Sequence, residues 1–468
     1  MASAKIRKSA ANLTHRVAVV VSLAAFVGCA TPTEWRRQQQ NDFEDEEAQI
    51  VERQPTKKKG KRKRRRRRRR SRDPESRELD GLALKLGAAA EAIENPCKNP
   101  LCTSRALDPF FKKLDEIQKD RDGHARVLHL GDSHIAADYI TRVVRRRLQE
   151  RFGNGGRGFV AIDQRARYGG RRLKRAGFTR TRIVDKGHGG EPFGFSGMAI
   201  HAARGGAKVS FELEPEDDDL VVYYLAERSG AEVKIYVEKE EVGTLDTRAR
   251  NVASETKRFE IPMHRLGGAT PPEWMEMVTE SRGPTFMGLS FESIEPGVIY
   301  DSIGPVGADA RVYLSLDKES LRDHMKAAKP NLVVLMVGGN DALMVRQNKR
   351  TLAQVKKDHV ALIRRLKKYA PQSACLMFGP MDAAERLDDG TVVTKRFVPE
   401  INEMQREVAK EEGCAFWDTF ASMGGPGAFG VWLEEGIMNQ DLVHPRSKGG
   451  DLLGHLFARA LMDAYLGR

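Results

Sequence analysis

The sequence predicts an α/β protein, a doubly wound parallel sheet into which a β-sandwich domain is inserted. Three observations carry this. Apolar strand-like runs alternate with amphipathic helical runs in two separate stretches, before residue 165 and after residue 300, which is the pattern of a parallel sheet covered by helices. Between them the helical period vanishes and short alternating runs take over, as in a sandwich. The chain has 468 residues, 40% hydrophobic and 31% charged. That allows two or three domains with real cores and excludes a membrane-channel, collagen or disulfide-scaffold composition.

The first segment reads as an export signal. Lys5, Arg7, Lys8 and Arg16 precede an apolar stretch of eleven residues, Val17 to Val27. It is too short to span a bilayer comfortably and suits a cleaved signal peptide. It ends Phe26-Val27-Gly28-Cys29, which resembles a bacterial lipobox. Residues 1–29 are therefore expected to be removed or processed with Cys29 lipidated; cleavage after Ala30 without lipid is the alternative. The expected location is the exported cell envelope, with a lipid anchor in the membrane and the protein facing the periplasm or the outer surface.

Residues 30–80 are polar and charged and are expected to form a disordered tether, since they lack the apolar surface to fold. A flexible chain of this length spans about 40 Å. Thirteen of the fourteen residues from Lys57 to Arg70 are basic, and with Arg72 they account for the whole net charge of +14. The remainder of the chain sums to zero, so the basic signature of a nucleic-acid enzyme is absent from the folded part. The run is either a clamp on anionic envelope polymers or lipid headgroups or a solvated spacer. No nucleic-acid partner is expected.

Globular patterning starts after about 105, and residues 81–165 are assigned to the first part of the parallel-sheet domain. Ala125 to Leu130 reads as a buried strand, followed by a helix over Ile135 to Phe152. Residues 166–299 form the insert, with strand-like runs at Lys208, Asp219, Glu232, Lys257 and Phe286. Residues 300–468 complete the first domain: a strand at Asn331 to Val337, a helix from Leu352 to Tyr369, a strand at Ala374 to Phe378, a helix marked by Ile401, Met404 and Val408, a strand at Cys414 to Trp417 and a last helix over Leu452 to Tyr465. Cys97 and Cys102 stand close enough to close a small disulfide loop. Cys375 and Cys414 read as buried small hydrophobes.

Three short motifs fall where open α/β sheets place their sites, at the carboxyl ends of strands. They are Gly131-Asp132-Ser133-His134, Gly338-Gly339-Asn340-Asp341 and Asp441-Leu442-Val443-His444. A serine hydroxyl needs a base, which His444 supplies, and Asp441 holds the imidazole tautomer. Asn340 offers an amide donor and Ser133 its own N–H to a developing oxyanion. Asp132 reads as a turn-former and Asp341 as structural. His134 either touches substrate or packs. The glycine-rich 153–158 stretch follows a helix and lacks the lysine of a phosphate loop, which excludes nucleotide binding. No carboxylate cluster suggests a metal, and no cofactor is expected.

In these motifs the sequence resembles the GDSL/SGNH hydrolases. The resemblance covers about 120–165 and 298–468. It implies Ser133 as nucleophile, Asn340 as oxyanion donor and Asp441 with His444 as the Asp-x-x-His block. The block II glycine best matches Gly307, with Gly304 the competitor. In compact members block II follows the serine closely, but here 174 residues separate Ser133 from Gly307, which implies the inserted domain. Within the family, GDSHIAAD followed by a sandwich is similar to the bacterial peptidoglycan O-acetylesterases, whose insert resembles a carbohydrate-binding module. That implies an acetylated glycan as substrate and an acyl-serine intermediate. The insert's Tyr223, Tyr224, Tyr236 and Trp274 either stack on sugar or fill the core. A lipase, lysophospholipase or thioesterase, a sugar O-acetyltransferase and a non-catalytic glycan-binding protein are the competing readings.

Overall fold

The computed structural model describes residues 74–98, 101–162, 173–185, 191–263 and 272–468. The signal segment, Cys29 and the polybasic run lie outside the described residues. The chain begins with α1 (Pro74–Leu86), α2 (Asp108–Asp120), β1 (His124–Gly131), α3 (Ser133–Ala136) and α4 (Tyr139–Phe152). The insert follows as β2 (Gly158–Val160), β3 (Leu173–Ala176), β4 (Phe178–Arg182), β5 (Met198–Ala202), β6 (Lys208–Glu212), β7 (Asp219–Ala226), β8 (Glu232–Val237), β9 (Glu240–Asp246), β10 (Ala253–Glu260), β11 (Trp274–Thr279) and β12 (Thr285–Glu292). The chain then returns through β13 (Gly297–Ile303), α5 (Ala310–Ser315), α6 (Lys318–Ala328), β14 (Leu332–Met336), α7 (Gly339–Arg346), α8 (Leu352–Tyr369) and β15 (Ala374–Phe378). It ends with β16 (Ala384–Arg386), β17 (Val392–Thr394), α9 (Val398–Glu411), β18 (Ala415–Trp417), α10 (Thr419–Met423), α11 (Ala428–Glu434) and α12 (Ser447–Leu466).

The four strands expected for the parallel sheet, joined by β13, which the sequence reading did not mark, form one sheet in the order β13-β1-β14-β15-β18, every pair parallel. Every residue of β13 and β14 is buried, because helices cover both faces and leave no polar side to alternate with. From β1 the chain steps to β13 on one side and then to β14, β15 and β18 on the other. The switch point therefore lies between β1 and β14, and the crevice beyond their carboxyl ends is where such sheets bind ligands.

The helix expected over Ile135 to Phe152 is broken in two. Asp138 takes a left-handed conformation, φ 57°, between α3 and α4. Aspartate tolerates this better than most residues, and its carboxylate is held by buried Arg145 at 2.8 Å.

The tether expected to reach residue 80 gives way earlier, to α1. Ser76, Leu79, Leu82, Ala83 and Leu86 are buried in it, and Asp80 accepts a hydrogen bond from Arg459 of α12 at 2.5 Å. Its apolar stripe packs against α11 and α12, more than 300 positions later, so composition alone reads it as unfolded. Two cysteine readings also resolve. Cys97 and Cys102 are bonded, and so are Cys375 and Cys414. The latter corrects the expectation of unpaired small hydrophobes: β15 and β18 are neighbours in the sheet, which brings positions 39 residues apart into reach.

The insert is a sandwich of two antiparallel sheets, β10-β7-β12-β5-β4 with β2 added on β12, and β3-β6-β11-β8-β9. Alternate residues of β8 are buried, giving the period of two expected there, and β11, which the sequence reading did not mark, shows the same period. The pairing of β2 with β12 starts the insert's sheet at Gly158, not at 166, and β13 rejoins the parallel sheet at Gly297, not at 300. Tyr223 and Tyr224 belong to the core, which takes them out of the sugar-stacking reading. Tyr236 and Trp274 are half-buried, and the Lys174 ammonium stands 4.7 Å from the Trp274 ring.

Insert and parallel sheet lie within one compact unit, Arg72–Arg468. Arg126 of β1 is buried and pairs with Glu292 of β12 at 2.6 Å and Asp301 of β13 at 3.4 Å. Burial acts against its charge, but the two carboxylates hold its ionisation above the ordinary arginine range. Arg258 of β10 pairs with the other oxygen of Glu292.

Candidate active site

The site is built from three strand and loop ends at the switch point. β1 ends at Gly131, whose carbonyl accepts a hydrogen bond from the buried Tyr313 hydroxyl at 2.6 Å. Asp132 caps α3, its Oδ1 accepting from the His134 N–H at 3.0 Å. This turn presents Ser133, which is 9% exposed.

The Ser133 Oγ lies 2.7 Å from His444 Nε2. On the far side of the imidazole, Nδ1 lies 2.7 Å from Asp441 Oδ2. The second oxygen of Asp441 accepts from the Val443 and His444 N–H groups at 2.8 and 2.9 Å. Burial opposes the charge on Asp441, but the hydrogen bonds from His444 and the backbone hold its carboxyl below the usual aspartate range. An ionised Asp441 fixes the proton on Nδ1, so Nε2 presents a lone pair to the serine hydroxyl. The tight turn that allows this puts Leu442 at φ 61°, a left-handed conformation that costs a side-chain-bearing residue roughly 1–2 kcal/mol.

Asn340 stands at the start of α7, just past β14. One of its amide hydrogens goes to the Ala308 carbonyl at 2.8 Å, and the group also meets Asp132 Oδ2 at a long 3.4 Å. Both amide hydrogens thus have acceptors, the one toward Asp132 held only weakly. The block II glycines separate by role. A Cβ at Gly304 would overlap the Asp132 carbonyl and the Ala136 nitrogen, so Gly304 lets the loop pack beneath the serine turn. Gly307 sits at φ 84° with open space where a Cβ would be, adjacent to the Ala308 that Asn340 grips. Asp341 pairs with buried His359 at 3.3 Å, a structural role. For Asn340→Ala we expect kcat for ester hydrolysis to fall about 10²–10³-fold, the cost of one lost oxyanion donor, with the unfolding midpoint little changed. Steady-state kinetics on an acetyl ester checks this.

Residues 306–452 match the GDSL-like lipase/acylhydrolase family. That stretch is similar to the GDSL-like hydrolases. Ser133, His444 and Asp441 form a hydrogen-bonded relay of the kind that serine ester hydrolases use. The parallel-sheet domain and its insert together resemble a solved structure described as a peptidoglycan O-acetylesterase. The TM-score is 0.66 at 21% identity, over 77% of this chain and 97% of that one, which shows a shared fold. Two partial likenesses are the YxiM protein of Bacillus subtilis (TM-score 0.31, 13% identity, 62% of this chain and 90% of that one) and the acetyl xylan esterase AlAXEase (0.27, 20%, 36% and 81%). No curated protein matches the chain.

Sequence reasoning missed the Tyr313 hydroxyl that anchors Gly131, for which no motif gives a signal. It singled out His134 without finding its partners. The ring is buried, with Nδ1 2.7 Å from Asp132 Oδ1 and Nε2 3.2 Å from the Val443 carbonyl. No described helix is long and apolar enough to cross a membrane.

Proposed function

We propose that this protein is an exported esterase that removes O-acetyl groups from a cell-envelope polysaccharide, with peptidoglycan the expected polymer. The carrying observation is the fold shared with a peptidoglycan O-acetylesterase over nearly the whole of that chain, insert included. The triad supports the chemistry. His444 Nε2 takes the Ser133 proton as Oγ attacks the acetyl carbonyl. Negative charge moves onto the carbonyl oxygen, where Asn340 and the N–H groups of Ser133 and Gly307 are the assigned donors. The C–O bond to the sugar breaks and His444 returns its proton to the sugar oxygen. Water then attacks the acetyl-serine by the same route and acetate leaves.

The N-terminal sequence supports an envelope location. Cys29 is assigned as the lipid anchor, and the basic run from Lys57 to Arg72 as a contact to anionic envelope polymers. The half-buried Trp274 and Tyr236 are the remaining aromatic candidates for glycan contact on the insert.

The test is acetate release by the purified protein from O-acetylated peptidoglycan, beside acetylated xylan and a long-chain ester, with Ser133→Ala as control. We expect release from peptidoglycan that disappears in the variant. Cleavage of only the long-chain ester would move the protein to the lipases, and acetate appearing on an added sugar acceptor would make it a transferase.

A further inference from the structure

His134 follows the nucleophile and is buried, yet both its ring nitrogens face acceptors. Nδ1 lies 2.7 Å from a carboxylate oxygen of Asp132, and Nε2 lies 3.2 Å from the Val443 carbonyl oxygen. Neither oxygen carries a proton to donate, so a neutral ring would set one bare nitrogen against an acceptor in a buried place. Only the doubly protonated ring satisfies both. We propose that His134 is a positioning residue, an imidazolium that donates one N–H to Asp132 and the other to the Val443 carbonyl and so clamps the Asp441–His444 turn onto the serine turn.

Three observations fit this role. Val443 lies between the strained Leu442, φ 61°, and His444, so its carbonyl is the natural handle for holding that turn in place. Asp132, the other partner, also reaches Asn340 Nδ2 at 3.4 Å, so a single carboxylate joins His134 to the oxyanion donor. The His134 and His444 rings lie 5.1 Å apart, tilted by 32°, which puts the clamp beside the base. The clamp thus links the serine turn, the asparagine and the Asp-x-x-His turn.

The charges around the ring are consistent with a cation. Asp132 faces it from its own turn, and Asp441 and His444 face it from the 441–444 turn. From α7, Gly339 and Asn340 bring no charge. Behind Asp132 stands His129 of β1, which burial pushes down to about 3 and so keeps neutral. Burial works against ionisation in both members of the pair, yet Asp132 is held below the usual carboxylate range and His134 above the usual histidine range, each by the other. A group whose folded value is raised contributes below that value and is lost as pH rises through it. The clamp should therefore loosen on the alkaline side.

The proposal rests on the ester-hydrolase reading of the triad and on no particular polymer. The probe is therefore 4-nitrophenyl acetate, and failure on peptidoglycan would leave these readouts unchanged. In the full chain labelled with ¹⁵N-histidine, His134 should give the two-proton imidazolium pattern at pH 7.5, assigned through its disappearance in His134→Gln. Glutamine can reach only one of the two acceptors and carries no charge. We expect its kcat to fall about 100-fold, as small misplacements of catalytic groups do, with KM little changed. The alkaline limb of the wild-type kcat profile should be absent in the variant. A one-proton ring at pH 7.5, or a variant that keeps the wild-type kcat, would overturn the proposal. Should His134→Gln not fold, the wild-type spectrum decides, with the signal assigned through contact with His444.

Discussion

Ser133→Ala should abolish turnover, lowering kcat for acetyl-ester hydrolysis by about 10⁶-fold, the loss seen when the nucleophile of a serine relay is removed. The reason is geometric. Ser133 Oγ is the atom 2.7 Å from the base; without it, water must enter a space shaped for a bonded nucleophile, and no acyl-enzyme can form. The fold should be untouched, since Ser133 is partly open at the crevice and the cap of its turn comes from Asp132. A variant with the wild-type unfolding transition, no acetate release and no burst of alcohol product would meet the expectation. Residual turnover within about 100-fold of wild type would remove Ser133 from the nucleophile's place.

Asp441→Asn should cost about 10⁴-fold in kcat while leaving the site nearly superimposable. The carboxylate has two jobs. One oxygen accepts from the Val443 and His444 N–H groups, which an asparagine carbonyl can still do. The other fixes the proton on His444 Nδ1, which an amide nitrogen reverses: it donates to Nδ1, drives the proton to Nε2 and leaves Ser133 without a base. The wild-type carboxyl is held below its ordinary range, so its support is present above the ordinary aspartate value and is lost only as pH falls through the lowered one. The deficit of Asp441→Asn should therefore be nearly constant across neutral pH. A variant whose activity recovers at any neutral pH would show that the tautomer is fixed by another group.

The site motifs were legible because each is short, and two of them follow a strand that its own apolar run announces; the third, expected at a strand end, lies instead in the loop before α12. Gly131-Asp132-Ser133, Gly338-Gly339-Asn340 and Asp441 to His444 need no long-range information to be seen. The insert was legible for a similar local reason, since alternation in β8 survives in the sequence, although β11, which alternates as well, was not marked. What was not legible depends on partners distant in the chain. The stripe of Leu79, Leu82 and Leu86 makes sense only against elements hundreds of residues later, and the pairing of Cys375 with Cys414 only once β15 and β18 are neighbours. The second bond of His134, to the Val443 carbonyl, spans 309 residues and leaves no mark on either motif.

The arrangement around Arg126 bears on how such an enzyme can be divided. A binding module joined by a loose linker can be cut away or exchanged, since each part keeps its own complement of charge. Here one arginine from the first strand of the hydrolase is neutralised jointly by Glu292 of the insert and Asp301 of the next hydrolase strand. Replacing Glu292 alone, with the insert in place, would leave that cation with an incomplete counter-charge in the dry interior, a penalty of roughly 3–5 kcal/mol against a domain stability of about 5–15 kcal/mol. The insert and the parallel sheet thus share one buried ion-pair cluster, and a cut that separates them divides it.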